Sequence, residues 1–288
     1  MDKLYSPAVM ARIREKHGFK HSKSLGQNFL SDKNIIDAII EGSGVGPDDL
    51  VIEIGPGMGV LTAAAAEVAG KVVAVEIDKN LIPILKETLF LYDNIEVINA
   101  DIMKTDLNAI VAEHHKLGGK VRIIGNLPYY ITTPIVMKLL EDRVPADSIT
   151  IMMQKEVADR IKAEPGGKDC GAITVAVNFY CTVHHVANAP KEVFVPRPKV
   201  DSTVIRLDLR PEPPVDLIDE KTFFAAIKNG YGQRRKTLLN SLTGTNGISK
   251  EQVAESLEAA GIDPKRRAET LDLQEFALIA NEIAKRTK

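Results

Sequence analysis

Between residues 50 and 154 the chain repeats short apolar runs that stop at a glycine or a polar residue, and this rhythm constrains the fold more than any other feature. Leu50–Ile54 (LVIEI), Lys71–Glu76 (KVVAVE), Ile95–Asn99, Val121–Gly125 and Ile149–Met153 are too short for helices and suit strands buried in a parallel sheet. The segments between them read as helices. Val60–Ala69 is alanine-rich and closed by Gly70, and Asp78 is placed to cap the next helix, with Pro83 in its first turn. Such alternation predicts an open, mostly parallel sheet with right-handed crossovers and helices on both faces. Ligands on these sheets bind outside the carboxyl ends of the strands. Gly55, Glu76, Asp101 and Asn126 stand at or just past those ends.

Beyond Gln154 the pattern changes. Cys181–Val186 and Thr203–Leu209 read as two further strands, and Pro211-Glu212-Pro213-Pro214 as a stiff linker. From there to Lys288 apolar residues recur at helical spacing. The expected division is an α/β domain over 1–210, with a basic arm at 1–30, and a smaller all-helical domain over 211–288. The net charge of −2 hides an asymmetry: residues 1–30 carry six basic and two acidic side chains, whereas 31–150 carry ten and eighteen. Phosphate binding needs only one basic face, so nucleic acid stays open as a partner.

Several classes drop out. The longest apolar runs, such as Leu61–Ala66, fall far short of the roughly 20 residues that span a bilayer. The first residues have no apolar core of the signal-peptide kind, and a cytoplasmic protein is expected. Cys170 and Cys181 match no metal or redox spacing and are expected as free thiols, and the pairs His114-His115 and His184-His185 lack helical metal-ligand spacing. No metal is expected.

The turn after the first strand reads Gly55-x-Gly57-x-Gly59, with Val60 where a dinucleotide fingerprint wants its third glycine. Together with Glu53, two residues before Gly55, this spacing is typical of S-adenosylmethionine enzymes. Glu76 can accept both hydrogens of a ribose diol, and Asp101 can accept from an adenine amino group. Ile77 and Ile102, next in sequence to these acids, belong to the same expected site. Asn126-Leu127-Pro128-Tyr129 follows the fourth strand. An exocyclic adenine amine is a poor nucleophile, because its lone pair is delocalised into the ring. The Asn126 side-chain oxygen and the Pro128 carbonyl are expected to accept its hydrogens, and Tyr129 to stack on the base.

Over essentially its whole length the chain resembles the small-subunit ribosomal RNA adenine dimethyltransferase family. The residues that carry the likeness are Leu25-Gly26-Gln27-Asn28-Phe29-Leu30, the glycine turn, Asn126-Leu127-Pro128-Tyr129-Tyr130, and Val193-Phe194-Val195-Pro196-Arg197-Pro198-Lys199-Val200-Asp201-Ser202. Gln233-Arg234-Arg235-Lys236-Thr237-Leu238 and Arg267-Ala268-Glu269-Thr270-Leu271 extend it into the C-terminal part. The resemblance implies a Rossmann-like S-adenosylmethionine-dependent methyltransferase domain followed by a helical RNA-binding domain. It implies cofactor contacts from Asn28 and Leu30, and a clamp of the target adenine between Tyr129 and Phe194. The substrate it implies is a pair of adjacent adenosines near the 3′ end of 16S ribosomal RNA, dimethylated at N6 within a pre-30S particle by a monomer. Lys16, Lys20, Lys23, Arg234, Arg235, Lys236, Arg266 and Arg267 are candidates for phosphate contact. The rival readings are an erythromycin-resistance type 23S rRNA methyltransferase and a non-catalytic assembly factor of the same fold; a dehydrogenase is the remotest.

Overall fold

The computed structural model describes residues 4–22, 25–167 and 169–287. The chain divides into two compact units, Met1–Ala158 with His184–Leu209, and Asp159–Val183 with Arg210–Lys288.

The first unit is built on a mixed sheet. Nine strands run in chain order: β1 (Phe29–Leu30), β2 (Leu50–Ile54), β3 (Lys71–Glu76), β4 (Ile95–Asn99), β5 (Val121–Asn126), β6 (Ser148–Gln154), β7 (Cys181–Ala189), β8 (Phe194–Val195) and β9 (Ser202–Leu209). Seven form one sheet in the order β4-β3-β2-β5-β6-β9-β7, while β1 and β8 pair antiparallel beside it as a two-stranded ribbon. From β4 to β6 the pairing is parallel, and β9 runs antiparallel to β6. All five residues of β2 are buried, as a central strand covered on both faces requires. The chain winds outward from β2 to β4, then returns to place β5 on the other side. The switch point therefore falls between β2 and β5, where such sheets open a crevice. Register puts Ile54 opposite both Val75 and Gly125, so the ends carrying Gly55, Glu76 and Asn126 lie level.

Two local expectations are corrected. The helix after the glycine turn is Val60–Ala66, not Val60–Ala69; its last residues form a turn, and the Gly70 N–H bonds the Asp49 carbonyl instead of closing the helix. Asp78 does not cap Ile82–Thr88, whose N-cap position is Leu81 and has no side-chain cap. The Asp78 Oδ1 accepts from the Asn80 backbone N–H at 3.0 Å in a tight turn ahead of that helix.

The second unit is helical: Ala172–Tyr180, Glu220–Gly232, Leu238–Ser241, Lys250–Ala259 and Leu273–Arg286. Its core joins Cys170, Val175 and Phe179 to Phe223, Ile227, Leu257, Phe276 and Ile279. This corrects the expected boundary, since residues 159–183 lie inside the range assigned to the α/β domain yet fall in the same compact unit as 210–288 and bury Cys170, Val175 and Phe179 with it. Phe179, 1% exposed, packs against the Phe223 ring with centroids 5.2 Å apart and the planes tilted by 36°, so separation would uncover both. Cys170 and Cys181 are both buried and share no disulfide. No helix among the described residues is long and apolar enough to cross a membrane.

Candidate active site

A cavity opens at the carboxyl ends of β2, β3 and β5. Gly55, Gly57, Glu76, Ile77, Asp101, Ile102, Asn126, Leu127, Pro128 and Tyr129 all line it, and the segment Leu25–Leu30 forms another wall. Asn28, Leu30 and all the strand-end residues expected at the site are thus brought together.

The glycine turn shows why it must be glycine. Gly55 has φ +70°, and a Cβ there would project into open space, so the backbone is bare on the side a ligand would approach. At Gly57, φ +59°, a Cβ would meet the Phe29 ring at 2.9 Å. The Gly57 N–H donates to Glu76 Oε2 at 3.3 Å and the Asp78 N–H to Oε1 at 2.7 Å, which fixes the Glu76 carboxylate with lone pairs to spare. Glu76 is only 4% exposed, and burial pushes its carboxyl up to about 7. Glu53 is buried deeper. Burial, with the nearby Glu76 charge adding to it, raises its carboxyl to about 8. The Thr62 hydroxyl lies beside it and works against that rise, yet neither Glu53 Oε2 nor Thr62 Oγ1 makes a hydrogen bond of good geometry.

These features fit S-adenosylmethionine. A buried carboxyl whose one neighbouring hydroxyl makes no good hydrogen bond with it can take a stronger donor or a cation, such as an amino-acid ammonium. Glu76 suits a diol, and Ile77 and Ile102 offer apolar surface to an adenine. Asp101 Oδ1 accepts from the Met103 N–H at 2.9 Å and keeps its other oxygen for a ligand amine.

At the methyl-acceptor end, the Asn126 Nδ2 donates to the Asn28 carbonyl at 2.8 Å. This bond settles the amide: Nδ2 faces the wall, leaving Oδ1 as the free acceptor. Pro128 departs from expectation. Its carbonyl already accepts from the Ile131 N–H at 3.1 Å and the Thr132 Oγ1 at 3.0 Å, bonds that start the helix Thr132–Glu141. Both lone pairs are spent, so the Pro128 carbonyl is not the second acceptor. The adjacent Leu127 carbonyl takes no hydrogen bond among the described residues. Tyr129 Oη bonds Ser202 Oγ at 2.8 Å, which holds the ring in place, and burial raises its phenol pKa. Phe194 is corrected as well. It is 3% exposed, paired with Leu30 across the β1–β8 ribbon, and packed in the core with Ile36 and Val204, not on the cavity wall.

The family model for ribosomal RNA adenine dimethylase matches residues 18–285. The chain is 54% identical over 287 residues to the ribosomal RNA small subunit methyltransferase A of Alkaliphilus metalliredigens, covering 99% of this chain and 100% of the relative. The chain belongs to the ribosomal RNA adenine dimethylase family. A dimethyladenosine transferase structure from Plasmodium falciparum superposes with a TM-score of 0.75 at 26% identity, covering 90% of this chain and 98% of that one. The 23S rRNA methyltransferase ErmE gives 0.65 at 27% identity, covering 89% and 100%.

Within this member of the dimethylase family, Gln27, Phe29 and Tyr130 also line the cavity, and sequence reasoning passed over them as site residues. Tyr130 is 59% exposed beside Tyr129; an aromatic pair directly after a proline turn was the available signal. Lys16 is paired with Glu87 at 2.8 Å, Arg234 with Glu269 at 3.4 Å, and Arg266 with Glu275 at 2.5 Å. Lys20, Arg235, Lys236 and Arg267 are exposed. Lys23 lies outside the described residues.

Proposed function

We propose that this chain uses S-adenosylmethionine to dimethylate N6 of two adjacent adenosines near the 3′ end of 16S ribosomal RNA in the 30S particle, acting as a cytoplasmic monomer during ribosome assembly. The observation that carries this reading is the Asn126 amide, oriented by the Asn28 carbonyl so that its oxygen faces the cavity where Gly55 and Glu76 converge.

The cofactor, when bound, supplies a methyl group on a cationic sulfonium. Gly55 and Gly57 would admit it, Glu76 would take the ribose hydroxyls, Asp101 the adenine amine, and Glu53 its ammonium. Asn126 Oδ1 and the Leu127 carbonyl accept the two hydrogens of the target amine. Both bonds favour a more tetrahedral nitrogen with its lone pair freed from the ring, and positioning dominates the rate enhancement. Each transfer would break the sulfonium S–CH3 bond, leave a neutral thioether and place a positive charge on the nitrogen, which sheds one proton to solvent. The amine then keeps a single hydrogen, so the second turnover engages one acceptor while the other faces a methyl group. Tyr129 and Tyr130 supply the aromatic faces on which an unstacked base can rest. The helical unit serves as the RNA-binding domain, with Arg235, Lys236 and Arg267 on phosphates.

The small-subunit relative at 54% identity supports this substrate over the large-subunit one. Incubating the purified chain and labelled cofactor with immature 30S particles is expected to yield N6,N6-dimethyladenosine in 16S RNA. Product on naked 23S RNA alone would overturn the assignment.

A pH dependence follows from the buried carboxyls. In the free protein Glu53 and Glu76 hold protons up to about 8 and about 7, whereas the unfolded chain loses them near 4.5. Their contribution to stability therefore falls as pH rises through that window. Ligand donors favour the ionised forms, so cofactor binding at pH 6 is expected to release protons and to tighten toward pH 8. Calorimetry in buffers of different ionisation enthalpy measures the release, and Glu53→Gln should remove part of it. Zero release at pH 6 would mean that ligand binding does not ionise these carboxyls.

A further inference from the structure

Gln27 supplies neither of the amine acceptors, yet it holds two hydrogen bonds on the cavity wall. Its Oε1 accepts from the Ser22 backbone N–H at 2.9 Å, and its Nε2 donates to Asp78 Oδ2 at 2.7 Å. Asp78 is 6% exposed, and its own N–H is one of the two that fix Glu76. One residue beyond Gln27, the Asn28 carbonyl accepts from Asn126 Nδ2, while the Asn28 side chain turns back to the Gly26 carbonyl at 3.1 Å. The strap Leu25–Asn28 is irregular and enters the β1–β8 ribbon only at Phe29. It thus spans from the Glu76 corner to Asn126, with a side-chain tether at each end.

An amide has two orientations of nearly equal shape, and only one presents Asn126 Oδ1 to the cavity. The Asn28 carbonyl selects it, but a carbonyl on an irregular strap is only as well placed as the strap. The same strap walls the cavity, so its placement also shapes the cofactor site. We infer that Gln27 is a positioning residue, latching the strap onto the corner that carries Glu76 and so setting the orientation of Asn126; this rests on the function proposed above. Without the latch, the fraction of molecules with strap and amide both in place falls, and cofactor affinity and turnover fall with it.

The test uses the full-length chain with Gln27→Ala, Asp78→Ala and the double variant. Alanine at 78 keeps the backbone N–H that bonds Glu76 but also loses the Oδ1 bonds to the Asn80 N–H and Nδ2, so the coupling between the two substitutions, and not the Asp78 single variant, reports the latch. Each single variant is expected to lower kcat on 30S particles roughly tenfold with KM for the particles unchanged, and to weaken cofactor binding. The double variant should be no worse than the more impaired single. Gln27→Glu, which opposes two carboxylates, should be at least as impaired as Gln27→Ala. Amides of Gly26 to Leu30 should exchange hydrogen faster in Gln27→Ala, a readout that holds even if Asp78→Ala folds poorly. Wild-type kcat in Gln27→Ala, unchanged amide exchange, or a double variant equal to the product of the singles would overturn the latch. Failure of the wild-type chain to methylate 30S particles would instead sink the function itself.

Discussion

Replacing Asn126 with alanine is expected to lower kcat by about 10²–10³-fold, the range seen when one preorganised polar group is removed from a reacting centre. KM for the RNA particle should stay nearly constant, because the lost bond goes to an amine that contributes little to holding a whole ribosomal subunit. Aspartate should not rescue. The group opposite position 126 is the Asn28 carbonyl, 2.8 Å from Nδ2, which needs a donor. A carboxylate there would be repelled from the wall or forced to take a proton, and either outcome disturbs the acceptor facing the substrate. Single-turnover methylation of 30S particles by Asn126→Ala and Asn126→Asp measures both. Wild-type rates in the alanine variant would remove the amide from the mechanism, while Leu127→Ala should be mild, since the acceptor there is a backbone carbonyl.

Glu76→Ala is expected to weaken cofactor binding by about 1–3 kcal/mol, roughly 5- to 150-fold in Kd, the range for a lost charge-assisted partner. Glutamine is no conservative substitute. Glu76 accepts two backbone N–H groups, from Gly57 and from Asp78, and an amide offers one acceptor and one donor to them. The Gly57 N–H would face an NH₂, and the glycine turn would lose the group that holds it. Glu76→Gln is therefore expected to bind nearly as weakly as Glu76→Ala. Titration calorimetry decides: tight binding in the alanine variant would place the ribose elsewhere.

The parts of this site that could be read in advance are those fixed by strand ends. Buried parallel strands leave an unmistakable apolar run, and the residue where each run stops is brought level with its neighbours by register. For that reason Gly55, Glu76, Asp101 and Asn126 converge as their spacing implied. What could not be read depends on bonds between distant segments or on the exact start of a helix. The Pro128 carbonyl was lost to the site because Thr132 and Ile131 claim it, a competition invisible in a four-residue motif. Phe194 packs into the core because the β1–β8 ribbon sets its neighbour as Leu30, more than 160 residues away in sequence. Asp78 looked like a helix cap, the commonest role for an acid before a helix, but it closes a turn and receives Gln27. Residues 159–183 carry no compositional mark of the unit to which they belong.

That last feature bears on how the polypeptide is born. Val175 and Phe179 leave the ribosome roughly a hundred residues before Phe276 and Ile279, with which they share a core. At about 5–20 residues per second, these side chains wait on the order of ten seconds for their partners. Folding of the sheet can proceed meanwhile, but the stranded segment is the natural target for a holdase on the nascent chain. It also means that trimming the gene at codon 210 would not free an intact catalytic half: it would leave an insertion whose greasy face has lost its cover.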